Sequence, residues 1–135
     1  MNVSIRDHAA AVQARLEADS VLAGCTFQGV VTDRPQRYVT FFITSGRRYA
    51  DRLAGPDVSA DFTVTVHSVG SDPTQAQAVA ERVFAQLLGF VPSVVGRSCS
   101  RLRHTGSMPT QIDDTTSPPM FFSVDEFSFA SDPVT

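Results

Sequence analysis

The chain has 135 residues, of which 42% are hydrophobic and 19% are charged, and its formal net charge at pH 7 is −3. This length suits one domain with its own hydrophobic core, and we expect a single domain over residues 1–135. The negative charge argues against a nucleic-acid-binding protein with a strongly basic face. No apolar run reaches the roughly 18 residues that a membrane-spanning helix needs.

The first part of the chain predicts one helix followed by strands. A capping residue and apolar residues at helical spacing predict a helix from Ser4 to about Ala18. A short strand is predicted at residues 26–32, and a stronger one at Tyr38–Thr44, where apolar bulk stands on both faces. Such a strand is typical of the centre of a sheet or of a face that a partner chain covers. Residues 45–59 are polar and predict a loop, with a short strand possible near residues 48–53.

The clearest unit of the sequence is a strand, a tight turn and a helix within Ala60–Gly89. Alternating apolar and β-branched residues predict the strand. Asp72 followed by Pro73 is typical of a helix start, and Gly89 stands where a helix end favours positive φ. One helical face carries only apolar residues: Ala76, Val79, Ala80, Val83, Phe84, Leu87 and Leu88. We therefore expect this helix to pack on a sheet through that face.

The last third of the chain gives weaker signals. Residues 94–104 predict a strand of low contrast, with Arg97 and Arg103 on the same face. Residues 105–119 are rich in Gly, Ser, Thr, Pro and Asp, and they predict a long loop. A final strand is predicted at about Met120–Phe129.

The apolar residues of that final strand change parity near Asp125 and Glu126. This change indicates either a bulge or a strand whose two ends face different neighbours. The complete order of elements is α-β-β-(β)-β-α-β-β. Because strands come in blocks instead of alternating with helices, we predict an α+β fold, a mainly antiparallel sheet of four to five strands packed by two helices.

No catalytic, metal-binding or cofactor-binding constellation stands out. His8, His67 and His104 have no His, Cys or carboxylate at metal-ligand spacing. The two cysteines, Cys25 and Cys99, lack such partners too, and we expect them to be buried or half-buried thiols. The sequence therefore predicts no enzyme and no cofactor.

Two charged stretches allow more than one interpretation. The pair Asp113 and Asp114 offers carboxylates to a cation, but an oxygen-rich cage needs more ligands, so we favour solvated loop charges. The arginines Arg47, Arg48 and Arg52 form either a solvated loop or a contact for a phosphate or acidic partner.

Three stretches and their order along the chain resemble a known family. They are the end of the first helix at Leu16–Gly24, the turn and strand at Val31–Phe41, and the strand Phe62–Ser68 ahead of the Ala-rich helix Ala76–Leu88. Together they resemble the tail terminator (tail-completion) proteins of long-tailed bacteriophages. The resemblance extends from Val3 to about Arg103. The chain lacks the Trp that many relatives carry near the end of the central strand.

The resemblance implies a structural virion protein that forms a ring, typically of six copies, on the head-proximal end of the phage tail tube. Such a ring stops tube polymerisation and joins the tail to the head connector, while DNA passes through its lumen without specific binding. The implied partners are further copies of the chain, the tail-tube protein and the head–tail connector protein. Assembly would occur in the host cytoplasm, with no membrane and no cofactor. Within the same class, a tail-tube or head–tail connector subunit is the alternative.

A closed ring needs two different patches on each subunit. The candidate subunit-interface residues are aromatic: Tyr38, Phe42, Phe121, Phe127 and Phe129. The candidate docking or lumen loops carry Arg47, Arg48, Arg52, Asp113 and Asp114. From another class of protein, the alternative is a small α+β enzyme or ligand-binding domain with a cleft between residues 46–59 and 105–119.

Overall fold

A computed structural model describes residues 4–29, 31, 35–49 and 59–134, and for residues 47–49 it describes the backbone alone. The elements are α1 (Ile5–Glu17), β1 (Thr26–Gln28), β2 (Tyr38–Tyr49), β3 (Ser59–Gly70), α2 (Pro73–Leu87), β4 (Arg97–Cys99), β5 (Arg103–Asp113) and β6 (Met120–Pro133). The predicted α+β class is confirmed. The described residues form six strands, which is more than the four to five predicted.

All six strands belong to one mixed sheet in the order β1-β2-β3-β6-β4, and β5 also pairs with β6. β1 is parallel to β2, and the other pairs are antiparallel. β3 pairs with β6 without a break from Ala60↔Ser131 to Gly70↔Phe121. The last strand in the sequence therefore lies inside the sheet, between β3 on one side and β4 and β5 on the other.

Both helices pack on one side of the sheet, which we call the helix face. The buried residues of the two helices confirm most of the predicted apolar stripes: Ala9, Val12, Leu16, Ala76, Val79, Val83 and Leu87. These side chains join the buried residues of β2, β3 and β6 in one hydrophobic cluster. Two members of the predicted α2 face lie at its edge instead, since Phe84 is 36% exposed and Leu88 is 49% exposed. The opposite side of the sheet is covered by neither helix, and we call it the open face.

The predicted start and end of α2 are confirmed. The Asp72 carboxylate accepts a hydrogen bond from the Gln75 backbone N–H at 2.8 Å, and the Gln75 side-chain oxygen accepts from the Ser71 N–H at 2.7 Å. Gly89 follows the helix with a φ of +77°. A Cβ atom at Gly70 would lie 2.5 Å from the backbone nitrogen of Ala76, so the turn needs glycine there.

Two predicted loops contain strand. β5 extends through Asp113, so the predicted loop at 105–119 shrinks to a turn at 114–119. β2 likewise continues to Tyr49, into the predicted loop at 45–59, whose residues 50–58 lie outside the described part of the chain. The reason for the error is tertiary: β6 and β3 supply hydrogen bonds to stretches whose own composition favours turns.

The predicted strand at 94–104 divides into β4 and the start of β5. Leu102 lies between them and is buried, and its backbone exchanges hydrogen bonds with Gly89 and Phe90. The final strand pairs with β3 without a bulge, so the second alternative is confirmed: its two ends face different neighbours. Phe127 and Phe129 are buried on the helix face, and Phe122 lies on the open face. The β5–β6 register shifts at two places in β5, between His104 and Gly106 and between Met108 and Gln111.

Candidate assembly surfaces

The open face carries an apolar cavity of about 270 Å³. Every second side chain of a strand points to the same face of the sheet, and such side chains of β2, β3 and β6 form part of the cavity lining. The lining residues are Gly29, Val31, Tyr38, Thr40, Phe42, His67, Val69, Asp113, Met120 and Phe122. Phe42 at its rim is 44% exposed. We call this feature the open-face cavity.

His67 is packed between aromatic rings inside this cavity. Its ring stacks on Phe122 with centroids 5.7 Å apart, and it meets Phe42 edge-on at 5.6 Å. Burial lowers the pKa of His67, which favours the neutral imidazole. The geometry is that of a packing residue on an apolar surface.

A second uncovered apolar surface lies at the end of α2, and we call it the apolar connection (residues 88–96). Leu88 is 49% exposed, Val91 is 52% exposed and Val95 is 95% exposed. Val95 projects from a turn. The Arg97 N–H closes this turn by donating a hydrogen bond to the Val94 carbonyl, and Gly96 has a φ of +78°. No residue from 88 to 96 is charged.

The turn that carries Val95 is anchored on both sides. Val94 and Arg97 are buried, and the Val134 N–H donates to the Gly96 carbonyl at 3.1 Å. An exposed valine on an anchored turn loses little conformational freedom when it enters an interface.

A buried polar network joins α1 to β4 and β6. His8 Nδ1 lies 2.6 Å from the Ser4 carbonyl, so this nitrogen carries the proton. His8 Nε2 is then an acceptor, and it takes the hydroxyl proton of Ser131 at 2.8 Å. The Ser131 oxygen in turn accepts from Arg97 Nε at 2.9 Å. His8 also stacks on Phe62 with centroids 4.2 Å apart.

This His–Ser pair resembles the base and nucleophile of a hydrolase, but its position argues for a structural role. His8 and Ser131 both have 0% of their surface exposed, so a substrate has no access to them. Desolvation lowers the pKa of His8, and the charge of Arg97 lowers it further. The network fixes α1 against the sheet instead of presenting a reactive group.

Sequence reasoning missed this network because its members are far apart along the chain, with 123 positions between His8 and Ser131. One signal was available: His8 falls on the same helical face as Val12 and Leu16, a face that turned out to be buried. A polar residue on such a face needs a buried partner.

The aromatic interface candidates divide into two groups. Phe42 is exposed, Phe121 is half-buried, and Tyr38 is 8% exposed at the open-face cavity. Phe127 and Phe129 are 0% and 2% exposed beneath the helices, where they do not reach another subunit. This corrects their assignment, since they belong to the core of the chain.

The described charged candidates lie at two ends of the sheet. Arg47 and Arg48 belong to β2, where the backbone of Arg47 lies opposite that of Asp61 in β3, and Arg52 lies outside the described residues. Asp113 ends β5 at the opposite end of the sheet, and its carboxylate accepts from the Thr115 N–H at 3.1 Å. Asp114 is exposed in the following turn.

The remaining titratable groups that the structure describes form no recognisable centre. In the described ranges, no three His, Cys, Asp or Glu side chains are placed to hold a metal ion. Cys25 and Cys99 are half-buried free thiols, as expected, and burial raises the pKa of each. None of the helices in the described part of the chain is long and apolar enough to cross a membrane.

The fold defines an α+β protein with two helices on one face of a six-stranded mixed sheet. A chain in the virion of a native gene transfer agent particle is similar to it, with a TM-score of 0.64 and 18% identity over 96% of this chain and 99% of that chain. A second solved chain is similar with a TM-score of 0.60 and 15% identity over 99% of both chains. No protein-family model and no curated protein matches the sequence. These similarities establish a shared fold over nearly the full length.

Proposed function

We propose that this protein is a structural subunit of a phage-like virion. The observation that carries the proposal is the similarity to a chain of the gene transfer agent virion, which extends over almost all of both chains. The chemistry of the described residues agrees with a structural role. The His8–Ser131 pair is sealed in the core, and two surface regions, the open-face cavity and the apolar connection, expose apolar side chains.

Within this class, we propose that the protein is a tail terminator. The stretches that resemble that family fall on elements that build the fold: the end of α1, the middle of β3, and α2. A terminator works as a closed ring, typically of six copies, between the tail-tube protein and the head–tail connector protein. Six copies with a charge of −3 each would carry about −18, and negative charge around the lumen would keep passing DNA from adhering.

Disruption of the gene tests this role. Without a terminator, tube polymerisation has no stop signal, so we expect abnormally long tails in electron micrographs, and a plasmid copy of the gene should restore normal length. Tails of normal length in the disrupted strain would contradict the terminator proposal. Normal-length tails detached from heads would favour the connector alternative, and indefinite polymerisation of the purified protein would favour the tail-tube alternative.

A further inference from the structure

The two uncovered apolar surfaces lie too far apart to cover each other within one chain. The apolar connection is held beside the end of β6, through the bond between Gly96 and Val134. The open-face cavity contains Met120 and Phe122, at the beginning of β6. A strand rises about 3.3 Å per residue, so these ends of β6 are on the order of 40 Å apart.

We propose that the apolar connection of one copy seats in the open-face cavity of the next copy, with Val95 as the inserted side chain. This inference rests on the proposed function, since it supplies the contact between subunits of the ring. The occupant is a second copy because the same chain carries both a projecting apolar turn and an apolar concavity, and no described residue of the chain fills either of them.

The chemistry of the two surfaces is complementary. Residues 88–96 bring no charged side chain into the contact, and Asp113 is the one acidic residue among the described residues that line the cavity. Phe42, Val69 and Phe122 offer the aromatic and aliphatic contacts that dominate interface energies. A valine side chain is small compared with a cavity of about 270 Å³, so Val91 or Leu88 can follow Val95 toward the rim.

The position of the two surfaces decides the type of assembly. A contact between different patches is heterologous, and repeated contacts of this kind produce a closed ring or an open filament. The self-complementary contact of an isologous dimer would instead use one patch twice. The proposed contact therefore predicts head-to-tail assembly, as a ring requires.

Two variants and a mixture test the contact. Each of Val95→Asp and Phe42→Asp should yield monomers by light scattering, because a buried unpaired carboxylate at such a contact weakens association by about 100-fold. Mixed together, the two variants retain one intact apolar connection and one intact cavity, so we expect a dimer and nothing larger. Ile112→Asp is the matched control, since Ile112 is 53% exposed and neither Ile112 nor its strand partner Phe121 lines the cavity. Its assembly should equal that of the wild type.

Several results would overturn the inference. They are a wild type that stays monomeric at every concentration, a Val95→Asp variant that still forms the wild-type oligomer, or a mixture that stays monomeric while both variants melt like the wild type. An intact oligomer in the Val95→Asp variant would leave the virion role standing, because gene disruption tests that role separately. Normal particles after gene disruption would contradict the proposed function, whatever result the variants give.

Discussion

At the scale of single residues, His8 has the most tightly defined chemistry. Its two nitrogens have opposite roles, because the Ser4 carbonyl can only accept and the hydroxyl proton of Ser131 is directed at Nε2 once Arg97 donates to the Ser131 oxygen. The neutral tautomer satisfies every partner. A protonated His8 would point a second donor at Ser131 and would place a positive charge near Arg97.

Replacement of His8 by leucine should therefore be costly. His8→Leu keeps an apolar side chain in the site but removes both bonds of the imidazole: the Ser4 carbonyl keeps only the backbone N–H of residue 8, and the Ser131 hydroxyl proton loses its acceptor. We expect a loss of about 2–3 kcal/mol of unfolding free energy. The control is His104→Leu, since the His104 side chain is 27% exposed and its bond to Asp125 is part-buried, unlike the buried bond between His8 and Ser131. That change should cost about 1 kcal/mol or less. Equal costs in urea denaturation would contradict the structural role of the network.

The lowered pKa values of His8 and His67 predict how stability depends on pH. For both residues the folded-state pKa lies below the unfolded value of 6.5, so the folded protein binds fewer protons near pH 6. Their stabilising effect is complete above pH 6.5 and is lost as the pH falls through the folded-state values. We expect the unfolding free energy to fall between pH 7.5 and pH 5, and to fall less steeply in His8→Leu. Parallel pH profiles for the two proteins would contradict this assignment.

At the scale of elements, the unit of β3, turn and α2 is the part that local sequence determines best. The predicted cap at Asp72, the apolar stripe and the positive φ of Gly89 are all present. These features depend on neighbours within a few residues, so their chemistry is visible in the sequence. The close approach of Gly70 to α2 depends on the angle between strand and helix, which the sequence does not display.

Gly70→Ala tests that close approach. The added Cβ would lie 2.5 Å from the Ala76 nitrogen, so backbone must move, and we expect a loss of about 2 kcal/mol in thermal or urea denaturation. Gly106→Ala is the control, because a Cβ there meets nothing within 4 Å and the change should stay within about 0.5 kcal/mol. If Gly70→Ala leaves the unfolding free energy unchanged, the turn has more room for a side chain than the structure shows.

β5 shows why part of the fold was invisible in the sequence. Its residues include Gly106, Ser107 and Pro109, which favour turns, and yet β6 pairs with it from Arg103 to Asp113. The strand is possible because β5 pairs only with β6 among the described strands, so Pro109 can lie where no ladder bond is needed. The two interface phenylalanines that proved to be core, Phe127 and Phe129, were misassigned for a related reason: the sequence does not show which parity the helices cover.

Hydrogen exchange distinguishes the strand from the predicted loop. If β5 pairs with β6, a subset of amides between Arg103 and Asp113 should exchange slowly, together with those of β6. The amides of residues 114–117 in the following turn should exchange quickly and serve as the internal reference. Uniformly fast exchange from 103 to 119 would contradict the strand and support the loop that the sequence predicts.

At the scale of the whole molecule, the residues that stabilise the fold and the proposed assembly surfaces lie in different places. The helix face holds the large buried side chains and the His8 network, whereas the open face and the apolar connection leave apolar surface uncovered. The sequence indicated the presence of such surfaces through the apolar bulk on both faces of β2. It did not locate the apolar connection, because exposed valines in a short link between elements look the same as buried ones until the fold is known.

The central claim, that this chain is a virion subunit, is tested most directly by quantitative mass spectrometry of purified particles. We expect peptides from the chain in particles that sediment intact, at about six copies per particle if the terminator proposal holds. The terminator proposal would be contradicted by a copy number in the range of the tail-tube protein. Absence of the chain from intact particles, in a strain that expresses it, would contradict the account as a whole.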